Sequence, residues 1–259
     1  MLSSFGQTSA TGLSRLLDGE LSHDQATRFL NQDGYGPKTP WQQVKKTVRE
    51  IGREDGVLIF DDTVQEKPYT DGNELVCWRF DHTKDRPVKG TDLPDCLCHV
   101  GGVPLPVAFG LIRKPLQYCD LETRQVKRKS GETKNGILRR LLEACRQNQR
   151  KCRYVLADSW FSSQENLALV RHDLDKRFVV ALKSNRTVAL SLDDKKQGRL
   201  IRIGQLPWPG QEPVNVWIKG LGFPVLVIRQ VFTDKDGSTG PPYLACSDLD
   251  CDRAAIGAT

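Results

Sequence analysis

Two aspartates stand out because each directly follows a short run of apolar residues. Asp61 ends the run at 57–60, and Asp158 ends the run at 154–157. Continuous apolar runs of this length are typical of strands buried on both faces. If the two strands are neighbours, both carboxylates lie at one sheet edge and suit a hard cation such as Mg²⁺ or Mn²⁺. Two such ions about 4 Å apart activate a water and stabilise a leaving oxygen at phosphorus. Asp at a strand end is also a common turn or cap residue, so both interpretations stay open.

The elements that must position these aspartates follow from the hydrophobic pattern. Apolar residues at helical spacing predict helices at 40–52 and 135–149, while 154–158, a helix at 162–170 and a strand at 177–182 form a β-α-β unit with parallel strands. Gly101-Gly102 predicts a tight hairpin between two strands. From 187 to 245 we expect only short strands and no helix.

The first fifty-five residues differ in character from the rest. Ser22 and Gln25 have the spacing of a capping box, which predicts a helix that ends at Leu30. Together with apolar residues at 13–17, this indicates two short helices around a Gly turn, as in a helix-turn-helix. A helical domain at 1–55 that binds DNA is one interpretation, and an ordinary helical hairpin is the other.

Composition and charge exclude several classes of protein. The chain has 259 residues, of which 38% are hydrophobic and 27% charged, so collagen-like, coiled-coil and disordered proteins are excluded. Gly101, Gly102, Pro104 and Pro106 interrupt the longest uncharged stretch, 96–112, which argues against a membrane span. The N-terminus does not resemble a secretory signal, so we expect a cytoplasmic protein with free thiols. A zinc knuckle at 96–99 is disfavoured because no second Cys/His pair has suitable spacing.

The net charge of +6 is unevenly distributed. Residues 111–153 contain thirteen Lys or Arg against four Asp or Glu, a local net charge of +9. Clustered cations gain affinity for a polyanion by displacing counterions from its phosphates. The segment, with Lys127, Arg128 and Lys129 at its centre, is therefore either a DNA-binding loop or a solvated surface.

Several motifs in order carry a family resemblance. They are Leu58-Ile-Phe-Asp-Asp-Thr-Val-Gln-Glu-Lys67, His82-Thr-Lys, Val88-Lys-Gly90, Gly101-Gly-Val-Pro-Leu-Pro-Val-Ala-Phe109, Tyr154-Val-Leu-Ala-Asp-Ser-Trp-Phe161 and Arg177-Phe-Val-Val-Ala-Leu-Lys-Ser-Asn-Arg186. Over residues 56–190 the chain resembles bacterial cut-and-paste insertion-sequence transposases of the Asp-Asp-Glu (DDE) superfamily. The resemblance implies an α/β fold with a ribonuclease H-like core, a mixed sheet with flanking helices, a β-rich insertion and a small helical N-terminal domain.

The resemblance also implies roles for individual residues. The first catalytic, metal-binding aspartate falls on Asp61, because the pattern Asp-x-Thr then places Thr63 correctly; Asp62 is the alternative. The second is Asp158, and the two would hold a pair of Mg²⁺ or Mn²⁺ ions. Lys67, Lys183 and Arg186 match positions where related enzymes contact DNA, although each is equally an ordinary surface cation. For Trp160 and Phe161, core packing is favoured over stacking on DNA.

One family feature is absent. The third catalytic residue of the group is a glutamate on a late helix with Tyr, Arg and Lys, but after Asp158 only Glu165 and Glu212 occur, in other settings. We therefore expect a truncated transposase with impaired activity. Its expected domains are 1–55, a catalytic core at 56–186, the insertion at 187–247, and the start of the last catalytic helix at 248–259.

Three functions compete at this point. The first is a DNA transposase that binds terminal inverted repeats and target DNA, as a homodimer in a synaptic complex near the nucleoid and without a membrane partner. The second is a non-catalytic remnant that occupies transposon ends and represses transposition. The third is a haloacid-dehalogenase-like phosphatase, which is disfavoured because its second aspartate would stand at Thr63.

Overall fold

The computed structural model describes residues 9–32, 36, 38–210, 212–230, 232–233, 239–240 and 243–251. It forms two compact units, 1–39 and 40–259. The helices in these ranges are α1 (Ala10–Leu16), α2 (His23–Leu30), α3 (Thr39–Ile51), α4 (Lys134–Gln147), α5 (Gln164–Ala168) and α6 (Leu192–Lys196). The strands are β1 (Val57–Glu66), β2 (Cys77–Asp81), β3 (Arg86–Val100), β4 (Val103–Phe109), β5 (Leu116–Cys119), β6 (Val126–Lys129), β7 (Tyr154–Ala157), β8 (Arg177–Leu182), β9 (Thr187–Ala189), β10 (Ile201–Arg202), β11 (Val214–Ile218), β12 (Val225–Arg229), β13 (Phe232–Thr233), β14 (Thr239–Gly240) and β15 (Tyr243–Cys246).

The first unit contains the two short N-terminal helices. The Ser22 hydroxyl accepts a hydrogen bond from the Gln25 amide at 3.2 Å, and the Gln25 side chain accepts one from the Ser22 amide at 2.8 Å. The predicted capping box is therefore present, and α2 ends at Leu30 as predicted. Whether this helical pair contacts DNA stays a prediction.

Helix α3 belongs to the second unit rather than to the N-terminal helices. Its Val48 is buried in the main core, and Trp41, Val44 and Ile51 pack against that core. The helix was predicted at the right place from its apolar spacing. Spacing shows which face of a helix is apolar but not which unit covers that face. The expected boundary near residue 55 was drawn where the helical pattern changes to a strand pattern.

One mixed sheet organises the second unit. Its strands run in the order β10, β9, β11, β12, β15, β8, β7, β1, β3, β2, and β4 also pairs with β3. Strands β1, β3 and β4 are antiparallel neighbours, whereas β1, β7 and β8 are parallel. This antiparallel meander joined to two parallel strands confirms the expected α/β, ribonuclease H-like fold class.

The predicted hairpin is present at Gly101 and Gly102. Both glycines have positive φ, 57° and 82°, and they join Val100 to its partner Val103. A turn of this primed type requires positive φ at both central residues, which glycine adopts without a steric penalty.

Residues 187–247 differ from the expectation in two respects. Their strands β9, β10, β11, β12 and β15 extend the main sheet, because β15 pairs with β8. The segment also contains helix α6, so the prediction that it has no helix is wrong. The Ser191 hydroxyl caps that helix by accepting from the Asp194 amide at 3.0 Å, and acids and lysines occupy its first and last turns. These charges favour a helix through its dipole, a signal that the hydrophobic pattern did not carry.

Helix α4 covers one face of the sheet. Its buried residues, Ile137, Leu138, Leu141, Leu142 and Cys145, belong to the main core. Six cysteines of the described chain are buried and none is in a disulfide. No described helix is long and apolar enough to cross a bilayer.

Packing of α4 against the sheet contributes to the free energy of unfolding of the second unit. Leu142 is 1% exposed, so Leu142→Ala should lower the free energy of unfolding by about 2–5 kcal/mol. Leu121 is 89% exposed, and Leu121→Ala should change it by about 0.5 kcal/mol or less. Urea unfolding followed by circular dichroism measures both, and equal effects would contradict the packing described for α4.

Candidate active site

The two aspartates singled out by the sequence lie side by side. Parallel pairing aligns Phe60 of β1 with Ala157 of β7, and Asp61 and Asp158 are the next residue of each chain segment. The prediction that these strands are neighbours is confirmed. The Asp158 carboxylate also accepts a hydrogen bond from the Trp160 amide at 2.9 Å, so it caps the short 3-10 turn Ser159–Phe161.

Neighbouring Asp61 and Asp62 have different surroundings. Phe60 is buried and Asp61 is exposed, because successive strand residues point to opposite faces. Asp62 points to the face that carries α4, where its carboxylate forms an ion pair with Lys134. Asp61 contacts the backbone locally, through a 2.8 Å hydrogen bond from the Asp62 amide. Asp62 is thus already paired with a cation, while the side chain of Asp61 is open to solvent.

Lys134 also contacts a second acid, Asp92 of β3, at 3.2 Å. Asp92 is 4% exposed, and it lies 3.6 Å from the guanidinium of Arg79. Burial raises the pKa of Asp92, against the lowering effect of the Lys134 charge. Arg79 in turn donates to the carbonyls of Gly90 and Ile112. This buried ion cluster, Asp62, Lys134, Asp92 and Arg79, connects the start of α4 to three strands.

A third carboxylate, Asp95, was missed by the sequence reasoning. Antiparallel pairing places it directly opposite Asp61 on β3. Burial, followed by the charges of Asp61 and Asp62, raises its pKa. Burial also raises the pKa of Asp158; the hydrogen bond from the Trp160 amide opposes this, and the charges of Asp62 and then Asp61 add to it. The only available signal was an acid within the alternating strand pattern of β3, and its partner depends on strand register.

These carboxylates can be compared with the needs of a metal ion. In the described part of the chain, no group of three or more His, Cys, Asp or Glu side chains converges closely enough to enclose one. Mg²⁺ commonly binds through one or two carboxylates and completes its shell with water and substrate phosphate. Asp61 and Asp158 fit that open type of site, and mutual repulsion among the acids is relieved by a cation.

The two aromatic residues after Asp158 have opposite surroundings. Phe161 is 2% exposed in the main core, as expected, but Trp160 is 46% exposed, so the core interpretation was wrong for Trp160. In a 3-10 turn, successive side chains point about 120° apart, so adjacent residues do not share a face. The Lys183 ammonium lies 3.9 Å from the centre of the Trp160 ring.

The other predicted DNA-contacting cations are dispersed. Arg186 is half-buried, and burial lowers its pKa. Lys67 is exposed after β1. Lys127, Arg128 and Lys129 lie on β6, which pairs with β5 in a two-stranded hairpin. The structure therefore places a folded hairpin at the centre of the basic segment.

Much of the +9 charge is engaged within the protein. At least seven cations of 111–153 form ion pairs, namely Arg113, Lys127, Lys134, Arg140, Arg146, Lys151 and Arg153. The hairpin also borders a groove of 730 Å³, which is lined by Lys89, Lys114 and Arg128 and by Trp78 and Tyr118. Only part of the basic surface therefore lies along this groove.

Comparison with known proteins agrees with the geometry. A family model described as DDE superfamily endonuclease matches residues 1–215. The chain belongs to this family. Among curated proteins, none matches it significantly.

Two solved structures resemble this member of the DDE superfamily endonucleases at a distance. The Drosophila P element transposase strand transfer complex matches with 10% identity and a TM-score of 0.35, over 70% of this chain and 42% of that one. The NurA nuclease from Sulfolobus solfataricus matches with 10% identity and a TM-score of 0.29, over 95% of this chain and 83% of that one. The chain thus spans less than half the length of the P element transposase chain.

The buried ion cluster gives a testable dependence on pH. Lys134→Met removes a cation from Asp62 and Asp92, and should lower the free energy of unfolding at pH 7 by about 1–3 kcal/mol. The pKa of Asp92 is already raised and should rise further in this variant. Its charged form then opposes folding, so the loss should shrink between about pH 7 and pH 4 as Asp92 becomes neutral.

The matched control for this variant is Lys196→Met, because Lys196 is an exposed lysine of α6. It should change the free energy of unfolding by about 0.5 kcal/mol or less at either pH. Urea unfolding at both pH values measures the effect. A Lys134→Met penalty that is independent of pH would contradict the assignment of Asp92 as the buried charge that Lys134 balances.

Proposed function

We propose that the chain is a metal-dependent DNA transposase of an insertion sequence, which cuts phosphodiester bonds at transposon ends and joins them to target DNA as a homodimer in a synaptic complex. The observation that carries the proposal is the parallel register that aligns Phe60 with Ala157, the residues directly before Asp61 and Asp158. Membership of the DDE superfamily endonucleases supports the nuclease chemistry.

In this proposal, different residues of the chain bind the metal ions and attract the DNA strand. Asp61 and Asp158 hold the ions, and the ion pair with Lys134 keeps Asp62 directed to the opposite face of the sheet. When bound, two Mg²⁺ or Mn²⁺ ions supply activation of a water or a 3′ hydroxyl and stabilisation of the leaving oxygen. Lys183 lies over the ring of Trp160, two residues along the chain from Asp158, where its charge attracts the scissile strand.

A second set of residues holds DNA away from the acids. The groove between β2 and the β5–β6 hairpin combines cations with the exposed rings of Trp78 and Tyr118. Lys67 and Arg186, together with the helices α1 and α2, supply further contacts to the transposon end. Such contacts bind the phosphate backbone and are sensitive to salt.

Metal binding by the full chain tests the catalytic assignment. Asp61→Asn and Asp158→Asn should each weaken Mn²⁺ binding by about tenfold or more, since each removes a ligand oxygen. Asp62→Asn should weaken it much less, because Asp62 is paired with Lys134. Asp71→Asn, at an exposed acid outside the site, is the control. Calorimetric titration with MnCl₂ measures all four variants, and full binding by Asp158→Asn would overturn the assignment.

The basic groove has its own test. Replacement of both Lys89 and Arg128, which line the groove, by Ala should reduce the slope of log K against log salt concentration by about 1–2, because about one phosphate contact is lost per cation. Lys196→Ala, at an exposed lysine of α6, should leave the slope unchanged. Fluorescence anisotropy with a labelled duplex at several salt concentrations gives the slopes. A double variant with the slope of the unmodified chain would exclude this groove as the DNA surface.

A second candidate function is repression by a non-catalytic end-binding protein. This function needs only a DNA-binding surface, such as the cations and exposed rings along the groove between β2 and the β5–β6 hairpin. A nicking assay with Mg²⁺ or Mn²⁺ separates the two functions. Specific binding of a terminal repeat without cleavage supports repression, whereas cleavage that is lost in Asp158→Asn supports the transposase.

A further inference from the structure

Three aromatic rings form an exposed row beside Asp158. The rings of Phe80 and His82 are 4.8 Å apart with an interplanar angle of 62°, and those of His82 and Trp160 are 4.8 Å apart at 40°. Phe80 is 48% exposed and Trp160 is 46% exposed. Large rings that stay half exposed to water lose hydrophobic stabilisation, which a ligand that stacks on them would restore.

The position of the row relative to the acids is tightly constrained. The Asp158 carboxylate accepts a hydrogen bond from the Trp160 amide at 2.9 Å. The ring of Trp160 is thus attached to backbone that contacts a candidate metal ligand. Lys183, which follows the parallel strand β8, places its ammonium 3.9 Å from the centre of that ring. A ring and a cation are therefore paired next to the candidate site of phosphodiester chemistry.

A cleft of 290 Å³ adjoins the row. Trp160, His82 and Phe80 line it together with the cations Arg79, Lys114 and Lys134 and the acids Asp92 and Glu132. Its volume is at the lower end of small-molecule pockets, about 300–1,000 Å³. One nucleotide fits such a cleft, whereas a duplex does not. Arg79 and Lys134 are paired with Asp92. Lys114 in the cleft and Lys183 at the Trp160 ring are therefore the cations that favour a ligand with a phosphate.

We propose that the row Phe80, His82 and Trp160, with Lys183 and the adjoining cleft, binds one unpaired nucleotide of the DNA strand that enters the Asp158 site. Bases inside a duplex stack on each other and present no free face to a protein ring. An unpaired base presents both faces, and stacking on an aromatic side chain is tolerant of sequence. Lys183 then contacts the phosphate of that nucleotide. This inference rests on the proposed function, because the nucleotide belongs to the DNA substrate.

Equilibrium binding in EDTA tests the inference without cleavage. The probes are one blunt duplex and the same duplex with a four-nucleotide 3′ tail that contains 2-aminopurine. The full chain should bind the tailed duplex about tenfold more tightly, because stacking of one base contributes roughly that much to the binding constant. It should also quench the 2-aminopurine fluorescence. Trp160→Ala should bind the tailed duplex no more tightly than the blunt one and should lose the quenching. Trp160→Phe should keep part of both.

Tyr69→Ala is the matched control, because Tyr69 is a fully exposed aromatic residue outside the row. It should keep the tail preference and the quenching. A preference that persists in Trp160→Ala overturns the inference, as does an unmodified chain that binds both probes equally while its binding still weakens with salt. The second result leaves the proposed function intact. Failure to bind either probe at low salt overturns both proposals.

Discussion

The parallel pairing of β1 with β7 is the interaction on which the rest of the site depends. Hydrogen bonds between these strands align residues 57–60 with 154–157. Asp158 directly follows the end of β7, whereas Asp61 lies within β1, which continues to Glu66 and was expected from its apolar run to end at Asp61. A shift of one residue would send one carboxylate to the opposite face, since side chains alternate along a strand. Burial of α4 against the sheet holds this register, because Leu58, Phe60 and Val155 belong to the same core as the helix.

Charge balance around β1 explains why adjacent aspartates serve different purposes. Asp62 points toward α4, and Lys134 at the start of that helix neutralises it together with Asp92. Asp61 points the other way, between Asp95 and Asp158, in a setting with an excess of negative charge. Burial and repulsion raise the pKa of Asp95 and of Asp158, and a divalent cation relieves that repulsion. The same strand thus carries one acid that is paired within the protein and one acid that is open to solvent.

The cations around the acids also fall into two groups, those paired within the protein and those left for a ligand. Much of the positive charge of 111–153 is used within the protein, in pairs such as Arg140 with Glu132 and Arg153 with Asp248. What remains for DNA is concentrated on the β5–β6 hairpin and beside Trp160, where cations lie next to exposed rings. Charge and stacking together favour nucleic acid over other polyanions, because simple anions gain nothing from the aromatic faces.

Much of the architecture was determined by the sequence itself. Apolar runs that end in Asp61 and Asp158, helical spacing in α4, and paired glycines at the hairpin each express a local period or a local φ requirement, which needs no knowledge of distant residues. The family motifs over 56–190 also depend only on order and spacing. The preference for Asp61 over Asp62 came from the same pattern and stays a prediction, while the structure pairs Asp62 with Lys134.

The tertiary structure decided which of these residues meet. Asp95 joined the acids only through antiparallel register, and Lys134 reached Asp62 across seventy-two residues of chain. The exposure of Trp160 depended on the direction of a single 3-10 turn. Which cations of 111–153 form ion pairs depended on acids that the fold brings next to them from other helices and strands. Contacts of this kind are set by packing between distant segments. A sequence pattern shows only which residues share a face of one helix or one strand.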